Sequence, residues 1–363
     1  MRVLHITPWY PTPDMPGNGI FIQRHIEAIG LSVQQTILHI DLARGQQPNS
    51  SCQQGNLIRV SESVQSRFWR WYEFRFYRLL RTELIKIDAA NQYSHVIFHI
   101  AYPTLIFIDR LNKYLPKKKL ISEHWSAYRL NFNSNKKLSR IQNIFYHRIP
   151  LTVVSKELGE SIRQFSQIDQ EYRVIPNVVH PDFYFKSEVP REKYFFSAAW
   201  WKAPKVPAEV LHAISNLKDK GVTIVLHIAG DGPLIDSMKQ YVKHLKIEDR
   251  IIFRGRLETS ELAIEMNRAI AFIMPTNYET FSVGCAEALV CGCPVIANRV
   301  GAIPELVNDS NGQLIDENNS WESVLSTFNL RSVDRKIISE KCADSFTPEM
   351  ISSTFLELLT ELK

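Results

Sequence analysis

Short apolar runs alternate with longer amphipathic stretches along the whole chain. Residues 3–6, 35–40, 95–100, 119–122 and 151–154 read as strands, and 174–175 adds one more. Between them, 19–30, 68–90, 103–114 and 156–165 read as helices. The rhythm then repeats, with strands at 194–198, 223–229, 251–254, 271–274 and 295–298 and helices at 207–220, 233–245, 259–269 and 283–290. Such alternation predicts an α/β fold of parallel sheets with helices on both faces. Ligands of such sheets bind beyond the carboxyl ends of the strands. The two halves are separated at 181–190, a segment bounded by Pro181 and Pro190 that follows a strand–turn signal at Pro176-Asn177. We therefore expect one domain over 1–180 and a second over 190–345. An amphipathic helix covers 348–362, and the chain holds no internal repeat or low-complexity tract.

Composition narrows the class. With 363 residues, 45% of them hydrophobic, the chain is long enough for two cores. No run is apolar enough to span a bilayer, since the best stretch, 95–108, is too short. Residues 1–8 lack the apolar core of a signal peptide and read as the first strand. The cysteines (Cys52, Cys285, Cys291, Cys293, Cys342) are odd in number and lack zinc-type pairing, so reduced cytosolic thiols are expected. A small buried role suits Cys291 and Cys293 better than a metal site. Net charge is only +5. Lysines at 117–119 and 136–137 read as solvated loop charges. The densest basic segment is 67–81, with five arginines, one acid and seven aromatic residues. As a helix it fits a membrane interface, a nucleic acid bound through phosphates and stacking, or plain packing on the first sheet with snorkelling arginines. A blend of core packing and membrane contact is preferred, and no nucleic acid is expected.

The most telling stretch is Tyr278-Glu279-Thr280-Phe281-Ser282-Val283-Gly284-Cys285-Ala286-Glu287-Ala288-Leu289, followed by Gly292-Cys293-Pro294-Val295-Ile296-Ala297 and Gly301-Ala302-Ile303-Pro304-Glu305. It reads as loop, helix start and strand. Free amides at a helix start suit a phosphate. Glu279 stands before the turn and Glu287 about one helical turn inside it. They suit hydroxyls on opposite sides of a bound diphosphate, as a nucleotide sugar would present them.

These motifs resemble the retaining glycosyltransferases of GT-B fold, family 4. The resemblance spans nearly the whole chain and is strongest from about 174 to 307. It implies two Rossmann-like domains with parallel sheets facing across a cleft, and a terminal helix, 346–363, crossing back onto the first domain. It gives Glu279 to the donor hexose and Glu287 to the ribose, with the amides around Phe281, Ser282 and Val283 holding the diphosphate. Lys205 matches a diphosphate-binding lysine. The family's arginine position falls instead on Trp200, and Lys202 is expected to supply the missing charge, whose loss would cost roughly 3 kcal/mol of transition-state stabilisation. His124, in Glu123-His124-Trp125 after a strand, matches a histidine near the reacting carbon. Gly17 or Gly19, beside Asn18, matches a glycine pair bordering sugar and acceptor. Gly230, Gly255 and Asn177 match positions farther from the chemistry.

The expected activity is transfer of a hexosyl unit from a UDP- or GDP-sugar to an acceptor hydroxyl, retaining the anomeric configuration. No protein nucleophile is evident, and no Asp-x-Asp stands in a convincing setting, so no metal and no resident cofactor are expected. The acceptor is expected to be a glycan or lipid-linked precursor in bacterial surface glycan synthesis. The enzyme is expected in the cytoplasm, with the inner membrane face within reach of 67–81. Two other classes stay open: a sugar-nucleotide epimerase of the same fold, and a non-catalytic sugar-nucleotide scaffold favoured by the Trp200 departure.

Overall fold

Parallel pairing of the apolar runs builds two sheets, seen here in a computed structural model that describes residues 1–44, 50–64, 71–130, 132, 138–328 and 334–362. The chain divides into one unit of Met1–Val178 with Pro348–Lys363 and a second of Val179–Thr347.

The first unit holds β1 (Arg2–Thr7), β2 (Gln34–Arg44), β3 (Ser50–Gln54), β4 (Leu57–Val64), β5 (His95–His99), β6 (Lys118–Glu123), β7 (Leu151–Val153) and β8 (Tyr172–Val174), in the order β3-β4-β2-β1-β5-β6-β7-β8. Only β3 runs antiparallel, against β4. Strand β5 is buried throughout and β1 from Val3 onward, as expected of strands covered on both faces. Strand β4 instead buries alternate residues. Its polar positions, among them Arg59 and Ser61, broke the apolar run that marks a central strand, so the sequence reading passed over the β3–β4 hairpin.

The helix expected over 68–90 runs Tyr72–Lys86, then Ala89–Gln92; residues 67–70 of the basic segment and Lys136-Lys137 lie outside the described residues. The final helix, Pro348–Glu361, buries Ile351, Phe355 and Leu359 against Ala28 and Ile29 of the first helix, Ile20–Gly30. Each such side chain contributes about 1.5–3 kcal/mol.

The second unit is wholly parallel: β9 (Phe195–Trp200), β10 (Leu226–Asp231), β11 (Ile251–Gly255), β12 (Phe272–Met274), β13 (Val295–Asn298) and β14 (Gly312–Ile315), ordered β11-β10-β9-β12-β13-β14. Strand β14 and the helices Trp321–Phe328 and Arg335–Ala343 were not foreseen; the strand is short and opens on a glycine. Trp201, Phe195, Ile214 and Phe328 share its core.

Strand order reverses at β1/β5 in the first unit and at β9/β12 in the second. Crossovers leave these points in opposite directions, which opens a crevice at the carboxyl end of each sheet.

Candidate functional site

In the second unit, the loops after β9 and β12 meet at the reversal. At the end of β9 the chain turns Trp200 outward, 58% exposed, and Trp201, the first residue beyond the strand, inward. The Trp201 indole donates to the Ala229 carbonyl at 2.8 Å, which anchors the loop. The Lys205 amide donates to the Lys202 carbonyl at 2.9 Å, and Lys205 bridges to Thr276. This brings the Lys205 ammonium onto Glu279, to which it donates a hydrogen bond. The two side chains are only 14% and 16% exposed, so water screens the pair weakly. Lys202, expected to add a second charge, is exposed on the same loop.

Glu279 is held from behind by the loop after β13. Its carbonyl accepts from the Ala302 amide at 2.9 Å. A side chain at Gly301, where φ is +51°, would place Cβ 2.2 Å from that carbonyl oxygen. Glycine is therefore a steric requirement for closing this loop over Glu279.

The helix Val283–Val290 starts just beyond. Ser282 caps it at φ 71°, a left-handed conformation rare outside glycine, asparagine and aspartate, and turns its hydroxyl to Cys285 Sγ at 3.1 Å. With that hydroxyl engaged, the Val283 and Gly284 amides have no intrahelical acceptor and mark the anion-favouring end of the helix. Phe281 is buried against Phe346, and Glu287 is buried inside the helix. Burial pushes the thiols of Cys285 and Cys293 up to about 12 and about 11, so both stay protonated near neutrality. At Gly230, φ +103°, an added Cβ would lie 2.0 Å from the Ala199 carbonyl; this glycine lets β10 close on β9. Gly255, φ +65°, ends β11 in open space.

In the first unit, His5 of β1, His99 at the end of β5, His124 just after β6 and His25 of the helix Ile20–Gly30 form a buried group. His5 Nδ1 and His99 Nε2 lie 3.0 Å apart in a hydrogen bond. His124 stacks on His99 at 6.2 Å and meets His25 edge-on at 4.9 Å. His124 Nδ1 pairs with Asn177 Oδ1 at 3.2 Å and Nε2 with Ser122 Oγ at 3.3 Å, while His25 Nε2 reaches the Pro176 carbonyl at 2.9 Å. Burial holds His5 near 3 and His25 near 4, and pushes His99 and His124 well below the usual histidine value. All four are therefore neutral at pH 7.

Glu123 sets the loop that carries His124. Its carboxylate accepts from the amides of Ala101, His124 and Trp125 at 2.9, 2.9 and 3.0 Å and from the Tyr128 hydroxyl at 2.7 Å. Burial raises its pKa, and the four donors act the other way. Trp125 packs edge-on to Trp9 at 5.3 Å and stacks with Tyr102 at 6.2 Å, leaving half-buried rings at the ends of β1, β5 and β6.

Of the glycine pair, Gly19 is the sterically required one. It is buried at φ +70°, and its Cβ would lie 2.8 Å from the Trp9 carbonyl, whereas Gly17 is exposed with open space. The sequence reading placed His124 and Asn177 in the site but passed over His5, His25, His99 and Glu123. Histidines inside the apolar runs Val-Leu-His-Ile and Ile-Phe-His-Ile were the available signal. Among the described residues, no group of three His, Cys, Asp or Glu is placed to hold a metal ion, and no helix is long and apolar enough to cross a membrane.

Comparison with known proteins bears on the fold and on the second unit. Residues 182–334 match the family described as "Glycosyl transferases group 1". The chain is 26% identical over 167 residues to N-acetyl-alpha-D-glucosaminyl L-malate synthase of Bacillus anthracis, covering 43% of this chain and 43% of the relative. It is 29% identical over 183 residues to the O-antigen chain mannosyltransferase RfbU of Salmonella typhimurium, covering 47% and 48%. Each alignment thus spans less than half of the relative's length. Likeness of fold reaches further: the sucrose-phosphate synthase of Thermosynechococcus elongatus superposes with a TM-score of 0.79 at 16% identity, covering 99% of both chains. Anabaena Alr3699/HepE, solved in complex with UDP and glucose, superposes at 0.74 and 15% identity over 100% of both. The two units have the parallel-sheet α/β architecture of GT-B glycosyltransferases. Over residues 182–334 the chain is thus similar to group 1 glycosyltransferases.

Proposed function

We propose that the protein is a retaining hexosyltransferase that uses a nucleoside diphosphate sugar. The carrying observation is the meeting of Lys205, Glu279 and the start of helix Val283–Val290 at the β9/β12 reversal. A cation and a helix amino end neutralise a diphosphate, and a carboxylate beside them accepts from sugar hydroxyls. In the ligand-free site Lys205 is paired with Glu279. Donor binding exchanges that pair for Lys205 on phosphate and Glu279 on the hexose. Glu287 takes the ribose, the Phe281–Val283 backbone the diphosphate, and Lys202 assists from the same loop. Gly230 and Gly255 shape the nucleotide side.

In the reaction, the bond from the sugar's anomeric carbon to the leaving phosphate oxygen breaks. The acceptor oxygen bonds to that carbon on the same face, and its proton passes to the departing phosphate. The protein supplies orientation and charge stabilisation. We assign His124, fixed by Asn177, to the sugar side as a neutral hydrogen-bonding group, with Gly17 and Gly19 beside it. The half-buried rings of Trp9, Tyr102 and Trp125 suit a glycan or lipid-linked acceptor. The relatives named for O-antigen mannosyl transfer and N-acetylglucosaminyl malate synthesis support a bacterial glycan or glycoconjugate acceptor. The nucleotide sugar is substrate, and no resident cofactor enters the reaction.

A panel of UDP- and GDP-sugars, scored by thermal shift and then by donor turnover with wild type and Glu279→Ala, tests this. The expected result is one donor that stabilises the protein and turns over only with Glu279 intact, giving a product of retained configuration. Turnover unaffected by Glu279→Ala, or an inverted product, would remove the proposal.

A further inference from the structure

The helix Tyr72–Lys86 turns one face into the first unit and leaves the other outside. Phe76, Leu80 and Leu84 are buried. On the outer side Trp71, Phe74, Arg78, Arg81 and Ile85 follow one another at the three- and four-residue spacing of a single helix face. Trp71 is 52% exposed, Phe74 46% and Ile85 48%. A helix that packs on a sheet ordinarily carries polar groups there, so large apolar side chains on this face indicate a surface that meets something apolar.

Neighbouring segments extend the face. The Phe107 ring packs on Tyr77 at 5.0 Å and on Phe74 at 6.4 Å. Two guanidinium groups lie over Phe107, Arg110 at 5.6 Å and Arg140 at 5.4 Å. Tyr114 carries Arg81 at 5.3 Å and Lys113 at 5.0 Å. An aromatic centre is thus ringed by cations. The carboxylates nearby are fewer and mostly turned inward. Glu62 is buried under Arg75 and Arg78, and Glu73 under Arg140; Asp109 is exposed and lies 3.7 Å from His147.

We propose that this face docks on an anionic lipid bilayer. Trp71 and Phe74 enter the headgroup boundary, and Arg81, Arg110 and Lys113 meet lipid phosphates. Guanidinium groups bind phosphate through two parallel donors, and indole rings settle at the boundary between water and acyl chains. A single-stranded nucleic acid would need open ring faces for its bases. The rings of Phe107 and Tyr114 already carry cations, which leaves a display of charge around two apolar anchors. This inference is independent of the catalytic proposal, because none of these residues lies in the donor site.

Vesicle flotation of the full chain tests it, with phosphatidylcholine alone and with phosphatidylcholine mixed with phosphatidylglycerol. The protein should float with the mixed vesicles, not with the neutral ones, and binding should fall as salt rises. Each basic side chain near such a surface is worth about fivefold in partitioning, so Arg81→Gln with Lys113→Gln should weaken binding roughly 25-fold. Lys243→Gln, a surface change on the second unit, should leave it unchanged. Brominated lipid should quench the wild-type fluorescence, and Trp71→Phe should reduce that quenching. These positions are exposed, and an unchanged melting temperature would show that the variants fold. The proposal is overturned by equal flotation with both vesicle types, by equal loss in Lys243→Gln, or by quenching undiminished in Trp71→Phe. RNA binding without vesicle binding would give the face to nucleic acid, and a dimer dissolved by Trp71→Ser would give it to a second copy.

Discussion

The two sheets end in opposite chemistry. At its β9/β12 reversal the second unit presents a lysine and a carboxylate, mutually paired and close to a helix amino end. At its β1/β5 reversal the first unit presents four buried imidazoles held neutral by burial. Even the buried histidine of the second unit has an acid for company, with His227 Nδ1 3.3 Å from Glu265. In the first unit, His25 Nδ1 and His99 Nδ1 are buried without hydrogen-bond partners. The same α/β plan thus offers one crevice suited to a charged diphosphate and another suited to uncharged hydroxyls and rings. Charge must be supplied where the leaving group departs, and need not be supplied where a neutral acceptor sits.

The strongest way to break this contrast is Lys205→Ala. Losing the placed cation should lower donor turnover about 10²–10³-fold, by analogy with removal of one electrostatic donor. Steady-state kinetics on the donor chosen by the panel would show it, and an effect under threefold would refute the role.

Acidification separates the units next. A histidine whose folded pKa is depressed binds its proton more readily in the unfolded chain. Stability is therefore full above about pH 6.5 and lost as pH falls below that value towards the folded pKa. For His5, held near 3, the loss between pH 7 and pH 5 is about 2 kcal/mol. His25, His99 and His124 act in the same direction. Hydrogen exchange at the two pH values should show β1, β5 and β6 losing protection before β9 and β12. Uniform loss across both units would contradict the contrast.

A smaller effect is expected at Gly301. Gly301→Ala forces a left-handed conformation costing about 1–2 kcal/mol and drives a methyl group at the Glu279 carbonyl. Thermal unfolding should show the stability loss, and the kinetics a raised KM for donor; an unchanged KM would detach Gly301 from the site. Smallest of all, Trp200→Ala should change stability by less than about 0.5 kcal/mol, since the ring is mostly in water. Trp201→Ala, at a buried position with a hydrogen-bonded indole, should cost about 3–5 kcal/mol. Equal effects from the two would contradict the opposite orientation of these rings at the end of β9.

Much of the second unit was legible in its sequence, and the reason is physical. Its inner strands β12 and β13 are short apolar runs buried on both faces, its helices have clear starts such as Pro207 and the Glu258/Glu261 capping box, and its loops carry glycines at positive φ. Pairing of Lys205 with Glu279 was not legible, because 74 positions separate them and only the β9/β12 adjacency brings them together. The first unit was harder to read. Strand β4 alternates rather than running apolar, and the helix Leu138–Tyr146 follows a polar stretch. Two of the four histidines, His5 and His99, sit inside strands, where one ring looks like an isolated polar residue until the fold brings in His25 from the first helix and His124 from just after β6. The contact of the terminal helix with Ile20–Gly30 was likewise beyond periodicity, which reports an apolar face and not its partner.

The most direct measurement is calorimetric titration of wild type, Lys205→Ala and His124→Gln with the nucleoside diphosphate of the donor that the panel selects. If the second unit holds the charged half of the site, Lys205→Ala weakens the diphosphate at least tenfold, while His124→Gln binds it as wild type does and loses only turnover. Equal weakening by both variants, or by neither, would contradict the division of labour between the two sheets.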